Sequence, residues 1–292
     1  MSDQPWYLQN YKTASAAKSG RVLPKVELAL VKKVEARNST RDTVHLHPSE
    51  LSKKDWCPRS SVYTITGVPK APESLNFQRL NVFEEGHSIH HKWQTWLWES
   101  GILIGKWECT ACGEIWMGKS PSTCPGRYCG STEIRYREVP IRDDEHRIIG
   151  HSDGEIEDAK GRALIEVKSV GIGTVRFEKP SLYADYENKT LTIDEVWKNI
   201  KQPFASHIRQ GNLYMHCRKL DTIVFIYEWK PSQQVKEFEV KYNPELVAPI
   251  LAGCKNVINH LEQETVPERP DWATSSKCSG CKYCPFKKVC WE

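Results

Sequence analysis

No stretch of this 292-residue chain approaches the roughly 18 consecutive apolar residues of a membrane-spanning helix. The opening segment, MSDQPWYLQNYKTASAAKSG, also lacks the short apolar core of an export signal. The expectation is a cytoplasmic protein with no membrane partner. A strong charge of either sign is missing as well. The 41 basic residues against 37 acidic ones leave a net +4, which permits an anionic partner such as nucleic acid without requiring one. No internal repeat divides the chain. Its length supplies one large domain or two small ones, and 39% hydrophobic with 27% charged residues describes an ordinary globular protein.

Cysteine, by contrast, is plentiful. Eleven cysteines without an export signal point to metal binding rather than disulfides, because the cytosol keeps thiols reduced. Cys109, Cys112, Cys124 and Cys129 form one cluster; Cys278, Cys281, Cys284 and Cys290 form another. Cys57, Cys217 and Cys254 stand apart, and a lone cysteine packs readily as a small core hydrophobe. The C-terminal spacing, C-x2-C-x2-C-x5-C, allows a zinc site, two disulfides or most of an iron–sulfur cluster.

Residues 1–45 read as a polar N-terminal extension with one helix over KVELALVKKVEA. A further helix start follows in HPSELSKKDWCPRSSVY, with Ser49 as the expected N-cap. NVFEEGHSIHHKWQTWLWES reads as a helix, since Ile89, Trp93, Trp96 and Leu97 recur at helical intervals. Residues 105–131 turn to Cys, Gly, Pro and Ser, as an inserted module would. A β-rich stretch comes next, then a helix over PFASHIRQGNLYMHCRKL, a strand DTIVFIYEWK and the cysteine tail. This order predicts an α/β domain interrupted once.

The inserted module, C-x2-C-x11-C-x4-C, has each cysteine pair in a short turn ending in glycine, Gly113 or Gly130. Such turns let backbone amides face the thiolates while Cys109, Cys112, Cys124 and Cys129 converge on one Zn²⁺. The pattern resembles a zinc ribbon. An all-cysteine site is closed, so a structural role is expected, presenting a surface to DNA or a partner. Within it, GEIWMGKS fits the phosphate-loop pattern G-x4-G-K-S, but that loop must follow a strand and open a helix, and SPSTCP opens no regular helix. No ATP binding is expected.

The sharpest chemistry lies in GHSDGEIEDAKGRALIEVKSV. Two strands around a Lys160-Gly161-Arg162 turn put Glu166 and Lys168 on one face, and counting back places Asp153 opposite the 167–168 level. Ile165 and Val167 point the other way, into a core. Two carboxylates and an ammonium converging at a strand end are costly unless a divalent cation neutralises the acids. The same pattern is open to a plainer reading, a surface hairpin with three solvated charges.

Asp-x12-Glu-x-Lys in this setting resembles the PD-(D/E)XK nuclease superfamily, and IIGHSDGEI resembles its RecB-like branch, with Ser152 where a proline often precedes the aspartate. GHSIH carries the glycine-then-histidine spacing of that branch, Gly86 and His90, and QGNLY carries its Q-x3-Y pair, Gln210 and Tyr214. The four-cysteine members of the branch take one cysteine from an upstream CPR setting and three from a terminal C-x2-C-x5-C, matching Cys57 and then Cys281, Cys284 and Cys290. The resemblance covers about residues 46–104 and 132–292, with the motifs in the family's order.

The resemblance implies a restriction-endonuclease-like core, a mixed central sheet flanked by helices, carrying the inserted zinc ribbon and a C-terminal clasp. The core would fall in 46–104 and 132–292. It implies a DNA exonuclease of the Cas-four or phage-borne type, with a recombination or CRISPR-adaptation partner. Mg²⁺ or Mn²⁺ would be held by His90, Asp153, Glu166 and the Val167 carbonyl, Lys168 would act at the phosphate, and Gln210 and Tyr214 would bond the lysine region or the DNA. Cys57, Cys281, Cys284 and Cys290 would hold a [4Fe–4S] cluster, leaving Cys278 spare. Arg59 and the Lys287–Lys288 pair would track the DNA backbone. The alternatives to an enzyme are a non-catalytic DNA-binding adaptor and a redox-sensing iron–sulfur regulator on the same scaffold.

Overall fold

The computed structural model describes residues 20–71 and 76–292; residues 1–19 of the expected N-terminal extension lie outside the described residues. In chain order the elements are α1 (Leu23–Ser39), α2 (Pro48–Leu51), α3 (Pro58–Ile65), α4 (Phe77–Glu99), β1 (Leu103–Cys109), β2 (Ile115–Lys119), β3 (Ile134–Arg137), β4 (Val139–Asp143), β5 (Ile148–Ser152), β6 (Gly154–Asp158) and β7 (Gly161–Val170). They continue with α5 (Ile172–Glu178), α6 (Pro180–Glu187), α7 (Ile193–Asn199), α8 (Ala205–Arg218), β8 (Thr222–Trp229), β9 (Gln234–Lys241), α9 (Pro244–Glu262), α10 (Ser279–Lys282) and α11 (Lys287–Trp291). No helix among the described residues is long and apolar enough to cross a membrane.

The described residues form two compact units, one of 20–45, 57–71, 76–87 and 256–292, the other of 46–56 and 88–255. The second unit carries a mixed sheet of order β2-β1-β6-β7-β8-β9, with β3 also pairing β1. β7 and β8 run parallel at its centre and the other pairs are antiparallel. β8, TIVFIYEW, is buried at every position, as a central parallel strand should be, whereas β9 alternates and turns its charges to water at the edge. Leu164, Phe225, Tyr227 and Trp229 pack with Trp197, Phe204 and Tyr214 on one face. Ile165, Val167, Val224 and Ile226 pack with Ile89, Trp93 and Leu97 of α4 on the other. Each such side chain contributes about 1.5–3 kcal/mol by leaving water. The buried Glu228 is matched inside this second layer by Lys92 Nζ at 2.6 Å and Trp93 Nε1 at 2.7 Å.

Two local expectations shift. α2 starts at Pro48 with His47 at its N-cap, two residues before the expected cap at Ser49. Proline needs no amide partner and is pre-set for the first helical turn, so it takes that place. The β6–β7 loop is Ala159–Lys160, because Asp158 already pairs with Gly161, whose φ is +110°. Lys160 N donates to Asp158 Oδ1 at 2.8 Å and tightens it. The ladder ends at Gly154–Ile165, and Asp153 lies just beyond it in a bend, where its carboxylate meets the Val167 amide, at the level the sequence suggested.

In the first unit, α1 bonds to residues 77–87 of α4 through Lys33–Glu84 and Arg37–His87. Tyr63 of α3 packs on Phe286, ring centroids 5.4 Å apart, and Arg59 donates to the Pro267 carbonyl at 2.7 Å. The Arg59 bond ties two segments of this unit together.

Candidate active site

Asp153 occupies a bend between β5 and β6, where the β6–β7 ladder has just ended. Beyond that end the Val167 amide has no β6 partner, and it donates to Asp153 Oδ2 at 2.6 Å. The other carboxylate oxygen, Oδ1, meets His90 Nδ1 at 2.8 Å. The main chain of Asp153 is fixed too: its carbonyl accepts from Tyr136 Oη at 2.6 Å and from Gln94 Nε2 at 3.4 Å.

On β7, Glu166 and Lys168 share a face as alternation requires, with Lys168 Nζ donating to Glu166 Oε1 at 2.8 Å. The same ammonium donates to Gln210 Oε1 at 2.8 Å, and Gln210 Nε2 donates to the Tyr214 hydroxyl at 2.7 Å. α8 therefore holds Lys168 through the two residues that lie one turn apart on it. His90, Asp153, Glu166, Val167, Lys168, Gln210 and Tyr214 are gathered at one end of the β6–β7 hairpin.

The electrostatics are those of a site with surplus negative charge. Burial drives the Glu166 carboxyl up to about 7, against the pull of Lys168. Burial would lower the His90 imidazole, but its bond to Asp153 and that charge outweigh burial and raise it. Glu166 Oε2 is buried without a hydrogen-bond partner. A buried carboxylate oxygen left in this way costs on the order of 1–3 kcal/mol or more, and a hard divalent cation is the partner whose chemistry matches it. The residues present fit Mg²⁺ or Mn²⁺. Their donors are looser than those of a closed zinc site: among the described residues, only the four cysteines below bring three or more such donors within 4.8 Å of one another.

Those four are Cys109, Cys112, Cys124 and Cys129. Cys109 and Cys129 Sγ lie 3.7 Å apart, and Cys112 and Cys124 Sγ 3.6 Å. A tetrahedron with Zn–S bonds of about 2.3 Å has an edge of about 3.8 Å, so the geometry suits one zinc ion. Gly113 and Gly130 both sit at positive φ, as the two turns require, and Gly126 N donates to Cys124 Sγ. The phosphate-loop look-alike inside the module runs as strand β2.

In the first unit, Cys57, Cys281, Cys284 and Cys290 line one cavity with Tyr63 and Phe286, and Cys278 is outside that lining. Cys57 precedes α3, Cys281 lies in α10 and Cys290 in α11. Burial pushes the Cys57 and Cys284 thiols up and the Cys281 thiol to about 11. Four thiols around one cavity are a donor set that fits an iron–sulfur cluster, which spreads its ligands wider than a single zinc ion does.

Sequence reasoning missed Tyr136 and Gln94. Gln94 was within reach, being one helical turn beyond His90. Tyr136 was not, because its role depends on how β3 and β6 divide one edge of β1. β3 pairs with Lys106–Cys109, β6 with Leu103–Ile104, and at the join a Cβ on Gly105 would lie 2.1 Å from the Tyr136 ring.

No protein-family model matches the chain, and no curated protein does. Solved structures that resemble it include SSO0001 (15% identity, TM-score 0.42, covering 90% of this chain and 94% of that one). An alkaline exonuclease, LHK-Exo, from Laribacter hongkongensis has 14% identity and TM-score 0.42, covering 76% of this chain and 90% of that one. The same enzyme in complex with dAMP gives 12% and 0.40 over the same shares. Likeness at this level is loose, and the site stands on its own geometry.

Proposed function

We propose that this protein is a metal-dependent DNA exonuclease that hydrolyses phosphodiester bonds at DNA ends or in single strands, in recombination, repair or phage and CRISPR DNA processing. The observation that carries the reading is the hairpin end itself. Asp153 accepts from the amide of Val167, next to Glu166, Lys168 is held beside Glu166, and one Glu166 oxygen is buried without a partner.

In this reading Asp153, Glu166, His90 and the Val167 carbonyl hold Mg²⁺ or Mn²⁺, oxygen donors suiting both and the imidazole favouring Mn²⁺. The cation supplies Lewis acidity at the scissile phosphate and at the attacking water. Lys168 places its ammonium where negative charge grows on the phosphoryl oxygens, an interaction stronger in the transition state than in the ground state. Gln210, backed by Tyr214, keeps that ammonium from collapsing wholly onto Glu166. The cysteine sets have structural roles: zinc in the inserted module and a [4Fe–4S] cluster in the first unit.

Asp153→Asn, Glu166→Gln and Lys168→Ala should each lower metal-dependent DNA cleavage at least about 100-fold, as loss of a charge-stabilising group does, with an unchanged circular dichroism spectrum. Cleavage at wild-type rate in any of the three would remove that residue from the mechanism. DNA binding without cleavage by the wild type would mark an adaptor or regulator instead.

A further inference from the structure

We propose that the outer face of the β1–β2–β3 sheet, with the groove beside it, is a track for single-stranded DNA leading to Asp153. Its direction rests on the nuclease reading; the surface itself is observed independently.

The register fixes which side chains share this face. Lys106 pairs with both Met117 and Arg137, and Glu108 pairs with both Ile115 and Arg135. Lys119 is brought to the same face by its pairing with Ile104. The three strands therefore present four cations, Lys106, Lys119, Arg135 and Arg137, and a single acid, Glu108, which Arg137 engages at 2.5 Å. Lys119 has a loose partner from β6, Glu157, at 3.5 Å. Between the cations stand two large apolar side chains, Ile115 and Met117, 54% and 47% exposed. On the reverse face Trp107 is entirely buried against Trp98 and Tyr136.

Cations interleaved with exposed apolar groups match a single strand, which offers phosphates to the first and unstacked bases to the second. A duplex could use only the charges. The face also leads somewhere. An open groove of about 530 Å³ is lined by Lys106, Arg137 and His151, by two acids, Glu108 and Glu138, and by Gln94 and Tyr136. Gln94 and Tyr136 are the two side chains that donate to the Asp153 carbonyl. A strand end following this groove would meet the two side chains that fix the Asp153 main chain.

The test is fluorescence anisotropy of a labelled oligothymidylate, and of a matching duplex, in buffer without magnesium or manganese. Two variants are compared with the wild type: Lys106→Glu/Arg135→Glu and Ile115→Ser/Met117→Ser. The charge reversal should weaken single-strand binding tenfold or more and flatten the salt dependence by about two phosphate contacts. The apolar pair should weaken single-strand binding severalfold while leaving duplex binding alone. Both variants should hydrolyse bis-p-nitrophenyl phosphate with Mn²⁺ at the wild-type rate, because a small diester needs no track. Wild-type oligothymidylate affinity in both variants would overturn the proposal, and so would equal weakening of duplex and single strand by the apolar pair, or no single-strand binding by the wild type. If charge reversal lowers the thermal midpoint, the Lys106→Gln/Arg135→Gln pair decides by the same criteria. Face-dependent binding by a wild type that cleaves neither DNA nor the small diester would defeat the nuclease reading and leave the track standing.

Discussion

Glu166 is wholly enclosed, and a carboxylate in that position is either protonated or matched by a cation. Lys168 matches one of its oxygens and leaves the other without a partner. If Mg²⁺ or Mn²⁺ binds there in the folded state only, it stabilises that state by mass action, about 2.7 kcal/mol at a hundred times the dissociation constant. Manganese should therefore raise the thermal midpoint of the wild type, and the rise should shrink to a small fraction in Glu166→Gln. An identical rise in both would show that the ion binds elsewhere. At this scale the sequence was informative where spacing alone fixes geometry. Glu166 and Lys168 had to share a face of one strand, and Gln210 and Tyr214 one face of a helix. It was silent on Tyr136, whose hydroxyl reaches Asp153 across a gap that only the assembled sheet creates.

The element that organises the site is the β6–β7 hairpin, and its register depends on a loop the sequence suggested only approximately. A glycine at φ +110° closes a two-residue loop, and the ladder it sets ends at Gly154–Ile165, which leaves the Asp153 carboxylate to reach the Val167 amide. β1 is the second organising element, since it pairs with β2 and β3 of the four-cysteine module and with β6 of the hairpin. Gly105 sits where those roles meet. In Gly105→Ala the new methyl group would strike the Tyr136 ring, and overpacking of this kind costs about 1–3 kcal/mol. In a Tyr136→Ala background the same substitution should cost less than about 0.5 kcal/mol, because the obstructing ring is gone. Denaturant titration of the four proteins measures both values. Equal costs in the two backgrounds would contradict this account of the join.

For the molecule as a whole, cysteine usage was legible in number and partition but not in shape. The two clusters and the distant Cys57 could be sorted on paper; that Cys57, Cys281, Cys284 and Cys290 surround one cavity needed the fold of the first unit. Protein purified without oxygen should show an iron–sulfur absorbance band at roughly 400 nm. The band should survive Cys278→Ala and disappear in Cys284→Ala. Its loss in Cys278→Ala would exchange the assignments, and its absence from the wild type would return the terminal cysteines to zinc. Zinc analysis of the same preparations reports separately on Cys109, Cys112, Cys124 and Cys129.

The central claim is that the hairpin end cleaves DNA, and the most direct measurement is incubation of end-labelled linear DNA and of a closed single-stranded circle with Mn²⁺. The account predicts that the linear strand is degraded from its end while the circle stays intact, and that both stay intact with Lys168→Ala. A linear strand untouched by the wild type in Mn²⁺ or Mg²⁺, or degraded equally by Lys168→Ala, would contradict it.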